Sequence, residues 1–80
     1  MDRPKEEDRE LIEFKELYKS NAPMLIFYAG KYVNAIAAED LVQDVFFKIW
    51  QKRTFLFLKE GIRTYLYRSV QHACLDYLKH

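Results

Sequence analysis

One side of the last predicted helix, which we place from Ile62 to the end of the chain, carries side chains suited to nucleic acids. At helical spacing it groups hydroxyl, guanidinium, amide, imidazole and ammonium groups, contributed by Thr64, Arg68, Gln71, His72 and Lys79. Tyr65 lies at the edge of this side. Such polar groups bond to phosphates and base edges, and an aromatic ring stacks on an unpaired base. The pattern is typical of a nucleic-acid interface, and an ordinary solvated helix face is the alternative.

The segment before this helix, Arg53 to Gly61, is more apolar than a surface connection requires. Its centre is a run of four large apolar side chains, Phe55, Leu56, Phe57 and Leu58. Two interpretations stay open: these side chains close the end of a helical bundle, or they form the wall of a pocket for an unstacked base. In the second case Lys52, Arg53 and Lys59 attract the sugar-phosphate backbone.

A different surface is predicted on the preceding helix, from Ala38 to Lys52. A step of about 100° per residue groups its apolar residues into a core stripe, made of Leu41, Val42, Val45, Phe46 and Ile49. Phe47 falls on the opposite side, and Trp50 lies at the edge of the stripe. The neighbours of Phe47 there are polar: Asp40, Gln43, Asp44 and Gln51. An aromatic ring among acids and amides is typical of an interface with a basic partner; otherwise Phe47 covers a groove against the first helix.

Charge is distributed unevenly along the chain. The first half is rich in acids and basic residues prevail beyond Phe47, although the net charge is only +1. Such an asymmetry indicates two faces with two different partners. Scattered solvating charge is the alternative.

The sequence lacks the residue groupings of an enzyme or a metal site. His72 and His80 are two helical turns apart, and no acid or thiol between them completes a ligand set. Cys74 has no base on its own face and is expected to be a small core residue. No glycine-rich phosphate loop is present, and no nucleophile, base and orienting group are placed together. We therefore expect no catalysis, no metal and no cofactor.

Helical periodicity extends over nearly the whole 80-residue chain, which holds only two glycines and two prolines. We predict a first helix from Pro4 to Lys19, then a second that Ser20 or Asn21 caps, with Pro23 in its first turn. The residues expected to be buried on these two helices are Leu11, Phe14, Leu17, Tyr18, Leu25, Tyr28, Ala29, Tyr32, Val33 and Ile36. The inner side of the last helix is Ile62, Leu66, Val70, Ala73 and Tyr77. The pattern predicts an all-α fold, a compact bundle of three or four helices.

Composition also indicates where the protein works. A single cysteine excludes a disulfide framework and fits a reducing compartment. No apolar run approaches the roughly 20 residues of a membrane span, and the acidic start is not a signal peptide. We expect a cytoplasmic protein. Because the last helix reaches Lys79 and His80 without a stop signal, we expect residues 1–80 to be one domain cut from a longer chain.

Two stretches resemble region 2 of the bacterial sigma factors, specifically the extracytoplasmic-function group. They are "AEDLVQDVFFKIW", residues 38–50, and "YLYRSVQHACLDYLKH", residues 65–80. The earlier stretch "FKELYKSNAPMLIFYAGKYV" is similar to the first conserved helix pair of the same domain. The resemblance runs from about Leu11 onward and implies the helical fold of that domain. Residues 1–80 do not include the helix-turn-helix domain that such factors use for the −35 element, which fits the expectation that they are cut from a longer chain.

The resemblance implies a role in transcription initiation. In that family the third helix docks on the clamp coiled coil of the RNA polymerase β′ subunit, which assigns this role to Asp40, Gln43, Asp44, Phe47 and Trp50. The last helix and the loop before it melt the promoter −10 element and hold a flipped base of the single-stranded non-template strand. The corresponding residues are Lys52, Arg53, Lys59, Arg63, Thr64, Tyr65, Arg68, Gln71 and His72. An anti-sigma factor is a further expected partner.

Two residues depart from the family's pattern. Members commonly carry Asn where this chain has His72, and many have Trp where it has Tyr65. Imidazole and amide differ in donors and acceptors, so His72 implies a changed −10 preference. The alternative function is a helical protein–protein adaptor, bound mainly by an anti-sigma factor and without DNA contact. Such an adaptor would keep the acidic face around Phe47 and lose the basic one.

Overall fold

Residues 5–80 are described by a computed structural model, in which four α-helices follow one another along the chain. These are α1 (Glu6–Ala29), α2 (Ala35–Lys52), α3 (Thr54–Phe57) and α4 (Ile62–Lys79). The three long helices all contact one another, and α3 packs on α2. The predicted all-α bundle is thereby confirmed; the predicted first helical residue, Pro4, lies outside the described residues. No helix within residues 5–80 is long and apolar enough to cross a membrane.

α1 is one continuous helix, so the prediction of two helices separated by a cap at Ser20 or Asn21 is wrong. Pro23 lies inside α1, on its exposed side. The side-chain amide of Asn21 donates to the carbonyl oxygen of Leu17 at 2.9 Å. A proline inside a helix costs about 3 kcal/mol, but the residues around and beyond it are buried in the core: Ala22, Leu25 and Ala29. The packing of these three side chains outweighs the cost of the proline, so the helix continues through Pro23.

α2 begins at Ala35, upstream of the predicted start at Ala38. The cap is Asn34, whose Oδ1 accepts a hydrogen bond from the backbone N–H of Ala37 at 2.9 Å. Ile36 consequently belongs to the first turn of α2. Its side chain is 77% exposed, so the prediction that it is buried is wrong.

The core lies between the three long helices and follows the apolar stripe predicted on α2. Leu41 of that stripe is half-buried, and its other members are buried: Val42, Val45, Phe46 and Ile49. They share one cluster with buried residues of α1 and α4, which are Ala22, Leu25, Ala29, Leu66, Val70 and Cys74. Cys74 is fully buried, as predicted, and burial raises the pKa of its thiol. Leu11 and Tyr77 are exposed, contrary to prediction, because they lie near the ends of α1 and α4, where fewer side chains cover them.

The segment from Arg53 to Gly61 closes one end of the bundle through Phe55. Phe55 is buried, and its ring stacks on Trp50 with the centroids 6.2 Å apart. Arg53 joins α2 to α3 in the left-handed conformation, with φ at 54°. Phe57 is exposed. The bundle-closing interpretation is thus confirmed for Phe55, whereas the ring of Phe57 faces solvent.

Candidate functional site

The outward face of α2 presents Phe47 in the surroundings that the sequence predicts. The residue is 60% exposed, and Asp40 and Asp44 beside it are exposed as well. Phe47 stands at the rim of an apolar groove of about 220 Å³ between α1 and α2. The groove is lined by Phe14, Tyr18, Gln43, Phe46, Phe47 and Trp50. Phe47 therefore borders a groove against α1 without closing it, and both the ring and the groove are accessible to a partner.

The acids of this face have no ionic partner within residues 5–80. The two salt bridges in that part of the chain join Arg53 to Glu10 and Lys59 to Glu13, so neither involves Asp40 or Asp44. Uncompensated carboxylates around an exposed ring give the face a negative potential with an apolar centre. Such a face is complementary to a basic surface that carries apolar side chains.

Ile36 extends this face by one helical turn and was not among the predicted site residues. It precedes Asp40 by four positions and Gln43 by seven, the spacings of neighbours on one side of a helix. The signal that could have found it is Asn34, a preferred N-cap residue, which sets the helix start upstream of Ile36. The exposed apolar part of the α2 face consists of Ile36 and Phe47, with the polar residues between them.

Trp50 and Arg53 form one unit at the C-terminal end of α2. The guanidinium carbon of Arg53 lies 3.8 Å from the ring centroid of Trp50. Its Nε donates to Glu10 Oε1 at 3.0 Å, and its Nη1 donates to the carbonyl oxygen of Trp50. The guanidinium of Arg53 is thus engaged in contacts within the domain, and this guanidinium covers part of the Trp50 ring. Contacts of Arg53 with DNA and of Trp50 with β′ remain predictions.

Lys59 and Arg63 line a second groove, of about 460 Å³, which separates α1 from the segment of residues 53–61 and the start of α4. Lys59 Nζ lies 3.5 Å from Glu13 Oε1, and both side chains are well exposed. An exposed pair of this kind contributes only about 0–1 kcal/mol. The cation of Lys59 is therefore available to an incoming phosphate at little cost.

α4 presents most of the predicted nucleic-acid residues to solvent. Those that are exposed are Arg63, Thr64, Tyr65, Arg68 and His72. Gln71 differs, because it is half-buried and its Nε2 donates to the hydroxyl of Tyr32 at 3.4 Å. The Tyr32 hydroxyl lies 3.3 Å from that of Tyr28, and this hydrogen bond together with burial raises the pKa of Tyr28. The Gln71 amide is thus partly engaged within the fold.

A polar cleft of about 250 Å³ between α2 and α4 brings predicted residues of the two helices together. Tyr65 and His72 line it from α4, and Lys52 lines it from α2. Lys48 lines it as well and was not predicted as a site residue, although its position four residues before Lys52 indicates a shared side of α2. The remaining polar lining is Thr54, Ser69 and Asp76. Two ammonium groups, an imidazole and a phenol ring at one cleft are suited to a phosphate and an adjoining base.

Within residues 5–80, no three side chains of His, Cys, Asp or Glu are grouped so that they could hold a metal ion. The chemistry of the faces described above is that of binding surfaces: charge, hydrogen-bond donors and accessible aromatic rings.

Comparison with known proteins and families gives one match, which is to a family model. No curated protein and no solved structure matches the chain. Residues 17–80 match the family model described as Sigma-70 region 2. That range holds every predicted site residue, and the family consists of non-catalytic transcription factor domains that interact with RNA polymerase and promoter DNA. Because the match covers most of the chain, the chain belongs to the Sigma-70 region 2 family and has the role of a sigma factor domain in transcription initiation.

Proposed function

We propose that this domain docks on the clamp coiled coil of the RNA polymerase β′ subunit through the outward face of α2. Held there, it recognises and melts the promoter −10 element with α4 and the segment of residues 53–61. We also assign it to the extracytoplasmic-function group, acting in the cytoplasm under the control of an anti-sigma factor. The resemblance of residues 38–50 and 65–80 to that group supports these finer assignments.

One observation carries the docking proposal: Phe47 is 60% exposed on a face whose carboxylates have no ionic partner in residues 5–80. An isolated exposed ring is ordinary. Here the apolar groove beside Phe47 adds to it, and Ile36 is a second exposed apolar side chain on the same strip of helix surface, with acids between and beside them. A basic coiled coil with apolar side chains would bury the strip and pair the acids, and so it satisfies both features at once.

The DNA-binding part of the proposal is supported by α4. Arg68 is exposed and makes no salt bridge within residues 5–80, so it is free to contact a phosphate. Tyr65 and His72 face the polar cleft that Lys48 and Lys52 complete. Stacking a base on an aromatic ring contributes about 1–3 kcal/mol, comparable to the mean of about 1.4 kcal/mol that each stacked step of duplex DNA provides. A domain that binds only the separated strand therefore shifts the duplex towards the open state.

The test is to titrate the chain separately with the isolated β′ clamp coiled coil and with single-stranded DNA that carries −10 sequences. The proposal predicts saturable binding to both ligands, and the affinity for DNA should fall several-fold as salt is raised. A chain that binds neither ligand contradicts it.

A second candidate function is that of a helical protein–protein adaptor without DNA contact, which the pairing of two basic residues favours. Two predicted DNA contacts, Arg53 and Lys59, are paired with Glu10 and Glu13 of α1, which lowers the uncompensated positive charge of the 53–61 segment. An adaptor predicts binding to the coiled coil or to an anti-sigma factor and no binding to single-stranded DNA. The two titrations therefore separate the two functions.

A further inference from the structure

The polar cleft between α2 and α4 contains an imidazole, the group whose charge most readily changes near neutral pH. This imidazole belongs to His72, which is exposed and lines the cleft from α4. An unperturbed histidine side chain has a pKa of about 6.5, and histidine is the side-chain type that ordinarily titrates between pH 5 and 8. Lysine and aspartate side chains ordinarily keep their charge over that range. The charge of this cleft therefore depends on pH through His72.

The cleft places His72 among cations. Its lining comes from α2, α3 and α4, and its titratable members besides His72 are Lys48, Lys52, Tyr65 and Asp76. On α4 itself, Arg68 precedes His72 by four positions and Asp76 follows it by four, so both are its neighbours along the helix. On α2, Asp44 lies one turn before Lys48. The cations of Lys48, Lys52 and Arg68 outnumber these two carboxylates, and a cleft of this charge attracts an anion.

The remaining elements add no further charge at His72. The part of α3 that lines the cleft is Thr54, which does not titrate. The tyrosines of α1 that pack on α4 contact other residues of it: the ring of Tyr28 packs on Tyr67, and the hydroxyl of Tyr32 accepts from Gln71. The charges that act on His72 are therefore those of α2 and α4 and of a ligand in the cleft.

A phosphate in the cleft and a proton on His72 stabilise each other. The imidazolium is positively charged and donates from both nitrogens, whereas neutral imidazole donates from one and accepts at the other. A phosphate close to the ring is an opposite charge, which favours the charged form. The two equilibria are linked, so the strand-bound domain holds the proton more tightly than the free domain does, and the affinity for the strand rises as pH falls.

We propose that His72 makes the DNA binding of this domain proton-dependent, with its imidazolium acting as a third cation of the cleft beside Lys48 and Lys52. The inference rests on the proposed DNA-binding function and adds a regulation of that same site by pH. Asparagine, which members of the family commonly carry at this position, has no charge to gain. The pH dependence therefore comes from this chain's own residue.

The test is to titrate the chain with an oligothymidylate strand at about pH 8 and at about pH 5.5, at constant ionic strength. The strand has no terminal phosphate and carries a pH-insensitive dye for fluorescence anisotropy. Because thymine keeps its charge over this range, the probe itself contributes no titrating group. A tenfold stronger hold on the proton in the bound state, taken from the ordinary histidine value of about 6.5, corresponds to about sevenfold in affinity between these two pH values. We expect at least about fivefold tighter binding at the lower pH.

His72→Asn is the decisive variant, since His72 is exposed and its replacement leaves the core intact. Its affinity for the strand should differ by less than about twofold between the two pH values. His72→Lys carries a positive charge at both pH values and should also lose the dependence, while binding more tightly than His72→Asn. The matched control is His80→Asn, which removes the second of the two histidines, exposed at the end of α4 and outside the cleft lining. It should keep the full rise in affinity, and circular dichroism at both pH values checks that each chain is folded.

The outcomes separate this inference from the function on which it rests. If the chain binds the strand at neither pH, the DNA-binding proposal and the inference both fall. If it binds the strand equally tightly at both pH values, the inference alone falls. A rise in affinity at the lower pH that survives in His72→Asn, or that His80→Asn abolishes, comes from other groups and overturns the inference as well.

Discussion

Phe47→Ala removes the ring at the centre of the outward α2 face and leaves the acids around it in place. A phenylalanine buries about 200 Å², and 60% of Phe47 is accessible in the free domain, so docking hides roughly 120 Å² of it. At about 25 cal/mol per Å², that burial contributes about 3 kcal/mol. Because alanine retains part of the contact, we expect a loss of about 2 kcal/mol, or about 30-fold in Kd.

The assay is a titration of the variant with the isolated β′ clamp coiled coil, accompanied by thermal unfolding of the free chain. The exposed part of the ring contributes little to the fold, so the free energy of unfolding should fall by less than about 1 kcal/mol. The matched control is Phe27→Ala, which removes a ring that is 69% exposed on α1, away from this face. Phe27→Ala should leave the affinity for the coiled coil unchanged.

Three results would refute the docking argument. An unchanged Kd for Phe47→Ala means that the ring is not an anchor. If the free energy of unfolding of Phe47→Ala falls by several kcal/mol, the ring is needed for the fold, and a loss of binding is then not evidence of a contact with the coiled coil. An equal loss in Phe27→Ala would show that any exposed ring contributes, so that the α2 face has no special role.

Four further predictions address the same faces and the core. Asp44→Lys places a cation against a basic partner and should weaken coiled-coil binding by at least about 1 kcal/mol; unchanged affinity in the same titration counts against the acidic face. Arg68→Ala should weaken binding to all single-stranded sequences alike and reduce the salt slope by about 1, because it removes one phosphate contact; a sequence-dependent loss argues for base contact instead. His72→Asn should change the preferred −10 sequence by about 1–3 kcal/mol at one base, with the salt slope unchanged. Selection from a randomised −10 library with the protein in polymerase holoenzyme measures this, and identical preferred sequences would exclude base contact by His72. The pKa of the Cys74 thiol is raised above its ordinary value of 9.0 by burial, so the thiol of the unfolded chain ionises at lower pH than that of the folded chain. The free energy of unfolding should therefore be insensitive to this group at neutral pH and fall as pH rises past 9.0, and Cys74→Ala should remove that part of the fall; a fall that is the same in Cys74→Ala must come from other groups.

The apolar stripe of α2 and the exposure of Phe47 could be predicted because both follow from helical period alone. Val42, Phe46 and Ile49 repeat at spacings of three and four, and any helix through them turns Phe47 away from the core. Cys74 was predictable for the same reason, since it flanks the inner side of α4. Whether these residues are buried or exposed can be predicted without knowing which side chains pack against them.

The continuity of α1 could not be predicted, because it depends on packing between distant segments. Pro23 after Asn21 is a sound local signal for a helix start, yet the burial of Leu25 and Ala29 against α2 and α4 keeps the helix unbroken. The error had a consequence for the site. A residue taken as a cap was not considered as part of a groove, whereas Asn21 lines the groove that Lys59 and Arg63 also line.

The arrangement of the basic residues in space could not be predicted from the sequence either. Lys48 and Lys52 meet Tyr65 and His72 only because α2 packs beside α4, and Arg53 is drawn to Glu10 by the packing of α1 on the end of α2. Neighbours along the chain indicated positive charge after Phe47. Which cations stay free, and which are compensated, depends on contacts between residues more than 40 positions apart.

The central claim is that the outward face of α2 binds the β′ coiled coil and that α4 binds DNA. It is tested most directly by measuring two variants against these two ligands. Phe47→Ala and Arg68→Ala are each titrated with the β′ clamp coiled coil and with a pool of single-stranded DNA, next to the unmodified chain. We predict that Phe47→Ala loses about 30-fold in affinity for the coiled coil and none for DNA. Arg68→Ala should lose affinity for DNA alone. If either variant weakens both interactions, or if both variants weaken the same one, the two faces do not bind separate partners.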